Sequence, residues 1–142
     1  MRVFLDANIL FSASNSGSNI RDLVMRLIRD HSVVSSYYAR EEAMRNLLLK
    51  RPAWESDCLE LIQSIQIVRG LDRVVPVEIC SKDRPILASA LQAQCDFLLT
   101  GDRKDFGHLI GDKVGSLQIV TPLLMAEILI QDVRSDSNRS RP

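Results

Sequence analysis

Short apolar runs of strand length alternate along this chain with stretches whose apolar residues recur at helical spacing, and few architectures accept that alternation. Val3-Phe4-Leu5, Val33-Val34, Phe97-Leu98-Leu99 and Leu117-Gln118-Ile119-Val120 are the runs. Between the first two, Ser18 is placed to cap a helix over 18–29, where Ile20, Leu23, Val24, Leu27 and Ile28 form one stripe. A second helix is predicted over 37–49, with Ala39, Ala43, Met44, Leu47 and Leu48 on its inward side and Arg51-Pro52 as its stop. A third covers 56–64 and leads into the apolar stretch 65–68. Asp83-Arg84-Pro85 opens a fourth, with Pro85 in the first turn, where its missing N–H costs nothing. Thr121-Pro122 opens a last one, expected to end near residue 131. Residues 12–17 read as a polar connection. Residues 69–79, interrupted by Gly70 and Pro76, have no assigned element. Strands alternating with helices predict an α/β fold with a mostly parallel central sheet flanked by helices on both faces. One domain over 1–133 and a flexible C-terminal tail over 134–142 are expected.

The totals narrow the function classes. The chain has 142 residues, enough for one real core. Lys+Arg and Asp+Glu both total 18, so bulk positive charge is not how this protein would hold a nucleic acid. No apolar run approaches the ~18 residues of a membrane span. The chain opens on a strand, which leaves no room for a signal peptide, so the cytoplasm is the expected compartment. Cys58, Cys80 and Cys95 show no zinc-ligand spacing and are expected as reduced thiols.

Four acidic stations carry the chemistry. Asp6 and Asp102 directly follow strands, Asp102 through Thr100-Gly101. Glu42 and Asp83 sit near helix starts. Ligands of open α/β sheets bind beyond the carboxyl ends of the strands, and both kinds of position gather there. Each acid alone has an ordinary role as a turn residue, a cap or a favourable charge at a helix N-terminus. Together they form a cluster whose mutual repulsion a cation would relieve. Hard oxygen ligands without His or Cys favour Mg²⁺ or Mn²⁺. Glu41 competes with Glu42, because the apolar stripe does not choose between them. His31 and His108 lie outside these motifs.

Read together, Val3 to Leu10, Glu42 to Leu47, Asp83 to Ala90 and Cys95 to Asp102, continuing through Asp105-Phe106, resemble the PIN-domain ribonucleases. More narrowly they are similar to the VapC-like toxins of type II toxin–antitoxin pairs. The resemblance spans residue 1 to about 130. It implies a PIN-like domain, RNA phosphodiester hydrolysis with one or two Mg²⁺ or Mn²⁺ ions, an RNA substrate, an antitoxin partner and a homodimer. It assigns catalysis to Asp6, Glu42, Asp83 and Asp102, and metal binding to Asp6, Asp83 and Asp102. Asp6 and Asp102 come first as direct ligands; Asp83 and Glu42 would act through water or orient the nucleophile. Thr100 would bond the phosphate or a ligating carboxylate, with Asn8 and Asp105 as supporting candidates. The alternatives are a PIN-like RNA-binding or RNA-processing protein without a toxin role, and an unrelated acid-site phosphatase. A dehalogenase-type phosphatase wants a second Asp two residues after the first, where this chain has Asn8.

Overall fold

The computed structural model describes residues 1–70 and 72–139. Strand β1 (Arg2–Leu5) is followed by helices α1 (Ala7–Ala13) and α2 (Asn19–Asp30), strand β2 (Ser32–Ser36), helices α3 (Tyr37–Lys50) and α4 (Glu55–Gln63), and strand β3 (Gln66–Val68). After a long loop come α5 (Arg84–Gln92), β4 (Phe97–Leu99), β5 (Lys113–Val114), β6 (Leu117–Val120) and α6 (Pro122–Arg139). The six-stranded sheet has the order β3-β2-β1-β4-β6-β5. All pairings are parallel except β5 with β6. This is the expected single α/β domain with a mostly parallel sheet.

The topology decides where a site can form. From β1 the chain steps outward to β2 and β3, then returns to place β4 on the other side of β1. Right-handed crossovers put helices on opposite faces for these two directions. Both faces of the central strands are covered: Val3, Phe4, Leu5, Leu98 and Leu99 are all fully buried. The carboxyl ends of β1 and β4 therefore flank the point where the winding reverses, the place where such sheets open a crevice.

Several expectations need correction. Residues 7–13 are helix α1, so the connection predicted from residue 12 begins two residues further on, at Ser14. Asp6, read as a strand-ending turn residue, is the N-cap of that helix and accepts from the Ala7 N–H. Strand β5 was not expected. It makes a two-residue hairpin with β6 through Gly115-Ser116, and Gly115 has φ +63°, as a Gly-first tight turn requires. Helix α6 continues to Arg139, so residues 134–139 of the expected tail are helical, while residues 140–142 lie outside the described residues. Leu48, placed on the inward side of α3, is about half exposed, whereas Ala39, Ala43 and Leu47 are buried. Cys80 is an exposed thiol, unlike buried Cys58 and Cys95. No described helix is long and apolar enough to cross a membrane.

The loop between β3 and α5 has no regular element among its described residues, yet it is tied down. Arg84 pairs with Asp72 at 2.7 Å, His108 Nε2 lies 3.0 Å from the Glu78 carbonyl, and the Tyr38 hydroxyl donates to the Lys82 carbonyl at 2.9 Å. These contacts hold the start of α5, and with it Asp83, against α3.

Candidate metal centre and cleft

Thr100 is the hub of the site. Its hydroxyl donates to Asp6 Oδ2 at 2.8 Å and accepts from the Asp102 N–H at 3.0 Å. The Asn8 amide approaches the same oxygen at 3.4 Å. One donor and two acceptor positions are thereby used, the full capacity of a hydroxyl. Asn8 joins the two strand ends: its Nδ2 donates to Asp6 Oδ2 at 3.1 Å, and its Oδ1 accepts from the Gly101 N–H at 2.8 Å. A Cβ at 101 would lie 3.3 Å from Asn8 Oδ1, a contact tight enough that the Asn8 side chain would have to give by a few tenths of an ångström.

Asp102 Oδ1 accepts from the N–H groups of Lys104 and Asp105, both at 3.0 Å. This is the turn role Asp often takes, and it aims Asp105 back toward Asp102. Asp83 occupies the N-cap position of α5 but makes no capping bond. Its carboxyl is buried, and its Oδ2 has no hydrogen-bond partner. Asp83, Asp102 and Asp105 each present a ligand oxygen within 4.8 Å of the others. Leaving a buried carboxylate oxygen unpaired costs ~1–3 kcal/mol or more. An unpaired buried oxygen on a carboxyl that also presents an oxygen to two further carboxylates fits a hard cation rather than a helix cap.

A cleft of about 520 Å³ opens over this cluster. Asp6, Asn8, Glu42, Asp83 and Asp102 all line it. Glu41, the competitor, points away and pairs with Arg40 at 3.3 Å. Asp105 stands closer to the cluster than a supporting candidate should, while Asp6 lies beside it, held in the Thr100–Asn8 web. Asn46, Lys50 and Lys82 also line the cleft, and of these Asn46 and Lys50 were not foreseen. They follow Glu42 at intervals of four residues along α3, a spacing that stacks side chains on one face. Of the basic residues flanking the acids, Arg40 lies over the Tyr37 ring and Arg84 pairs with Asp72, whereas Lys82 reaches Asp105 at 3.9 Å. His31 and His108 do not line the cleft.

The electrostatics follow the geometry. Burial pushes the Asp6 carboxyl up to about 6, against the opposing bonds from Thr100 and Ala7, with Glu42 and Asp102 adding repulsion. Burial, and then the adjoining Asp105 carboxylate, push Asp83 up to about 7. The same contact holds Asp105 below the usual range. Both raised groups sit above their unfolded values. Their contribution to stability is complete below about pH 4 and is lost as pH rises through about 6–7. The loss is on the order of a few kcal/mol at neutral pH. A cation held by the deprotonated cluster would reverse it. Thermal melts in EDTA and in millimolar Mn²⁺ test this: the increment given by Mn²⁺ should be larger at pH 7.5 than at pH 5.5, where protons compete for the same oxygens. An equal increment at both values would sink the cation reading of the cluster.

No protein-family model matches the sequence, and no curated protein matches it. Solved structures do match in fold. The structure of VapBC2 from Rickettsia felis bound to a DNA fragment from the pair's promoter superposes with a TM-score of 0.62. It is 15% identical, and the match covers 85% of this chain and 98% of the solved one. VapC20 from Mycobacterium tuberculosis, a sarcin–ricin-loop-cleaving toxin, gives a TM-score of 0.51 at 12% identity, covering 72% and 91%. The fold is thus the PIN-like fold of VapC toxins, as the resemblance in sequence implied.

Proposed function

We propose that this protein is a metal-dependent endoribonuclease acting as the toxin of a toxin–antitoxin pair. The observation that carries the reading is the Asp83 carboxyl, buried with an unpartnered oxygen and clustered with those of Asp102 and Asp105, beside a cleft that Asp83 and Asp102 line. The PIN-like fold shared with VapC toxins supports it.

Asp83, Asp102 and Asp105 would hold the first Mg²⁺ or Mn²⁺ ion, and Asp6 and Glu42 border room for a second. Such an ion supplies charge for phosphoryl oxygens and lowers the pKa of a water. The chain's own part is positional. Thr100 and Asn8 hold Asp6 in one orientation. Glu42, partly exposed on the cleft wall, is placed to orient a water or accept its proton. Lys82, 3.9 Å from Asp105, offsets the acids toward a polyanion. An antitoxin that covers the cleft, a homodimer and a cytoplasmic setting belong to the same proposal. The dehalogenase-type phosphatase is disfavoured: Asn8 stands where its second acid belongs, with both ends of its amide engaged in the site.

Incubation of the purified protein with a mixed RNA pool, with and without Mn²⁺, tests the reading. Metal-dependent internal cleavage is expected. Metal binding without cleavage of any RNA, alone or after removal of a copurified partner, would leave the site and remove the function.

A further inference from the structure

The cleft is not acidic along its whole length. Besides the carboxylates, Phe11, Ile20 and Lys50 line it. Phe11 projects from the same face of α1 as Asn8, three residues earlier, so the aromatic ring and the acid web share one wall. Phe11 is partly exposed. Trp54, which does not line the cleft, braces it with ring centroids 5.5 Å apart and tilted by 59°. The Arg51 guanidinium lies 5.7 Å from the Trp54 centroid. An aromatic ring fixed by a second ring, yet lining a cleft that a lysine also lines, matches an aromatic base joined to a phosphate.

We propose that Phe11 is a stacking platform for the base of a nucleotide flanking the scissile phosphate, with Lys50 on the adjoining phosphate. The inference rests on the ribonuclease reading and adds a base-binding subsite to it. A base can lie on Phe11 only when it is out of a helical stack, so the substrate is single-stranded or a loop. Lys50 lies two helical turns beyond Glu42, ~12 Å along α3, too far to serve the phosphate at the acids. It meets a neighbouring one.

Anisotropy with short labelled single-stranded RNAs, each carrying one abasic position, tests the platform. Asp102→Asn protein is used so that the RNA stays intact; loss of that carboxylate also lowers repulsion of the phosphate. One position should weaken binding about ten- to a hundredfold when its base is missing. Adding Phe11→Ala should weaken intact RNA by a similar factor and erase the penalty of that one abasic position, the non-additivity of groups in contact. Phe11→Tyr, which keeps the ring and its packing on Trp54, should preserve the penalty. Lys50→Ala should weaken all the RNAs alike and flatten the salt dependence. If RNA binds but Phe11→Ala leaves the abasic profile unchanged, the platform is wrong and the ribonuclease reading stands. If no RNA is bound by either protein or cut by the unaltered one, both fall together.

Discussion

Asp102→Asn is expected to lower kcat/KM for RNA by about 10²–10³-fold or more while leaving the melting temperature nearly unchanged. The structural innocence of this substitution comes from the pattern of bonds. Asp102 Oδ1 only accepts, from the Lys104 and Asp105 N–H groups, and an asparagine oxygen accepts both equally well. What disappears is one negative charge from a cluster whose oxygens lie within 4.8 Å of each other. Mn²⁺ affinity should fall with activity, and calorimetric titration beside cleavage kinetics reads both. Asp6→Asn is a poorer test. Asp6 Oδ2 accepts from Thr100 and from the Asn8 amide, so an amide nitrogen there would face the Asn8 donor, while the reverse flip would face the Ala7 N–H. A loss of activity in Asp6→Asn therefore mixes charge with a disturbed web. Full activity in a well-folded Asp102→Asn protein would end the metal-centre reading.

Thr100→Val should be the most damaging neutral substitution near the site. The side chains are nearly the same size, but the hydroxyl serves three partners. Its loss strands the Asp102 N–H and removes a donor from buried Asp6, at a cost of about 2–4 kcal/mol. For a chain of this size that is ~10 °C in melting temperature. The Asp6 carboxyl, which the Thr100 bond pulls down, should rise further, and the pH at which cation binding sets in should move up with it. Thr100→Ser keeps the hydroxyl and should recover most of both properties. A Thr100→Val protein that melts like the parent would show that water replaces the hydroxyl and that the web is not a structural hub.

Strands β1, β2, β4 and β6 and the long helices were legible because their apolar residues repeat with periods that differ sharply. Helix α1 was not. It is short, it starts on Asp-Ala-Asn, which has the composition of a turn, and its stripe of Ala7, Ile9, Leu10 and Ala13 runs into the polar connection. That omission also hid Phe11, which has a face only once the helix exists. Asp6, Asp83 and Asp102 could be found because strand ends and helix starts converge in any parallel sheet. That Glu42 and not Glu41 lines the cleft needed the orientation of α3. Asn46 and Lys50 were available from their spacing to Glu42. The pairing of Phe11 with Trp54, and the missing partner of Asp83, are matters of packing between distant segments, which no local pattern encodes.

The rims of the sheet limit how this protein can associate. One rim is β3, three residues long, and the other is β5, two residues long and carrying Lys113. Neither offers enough unpaired backbone to template another strand, so joining copies edge to edge into a continuous sheet is closed off. The apolar surface available to another molecule lies instead on helices, and α6 presents Leu123, Ile130 and Val133 to the outside.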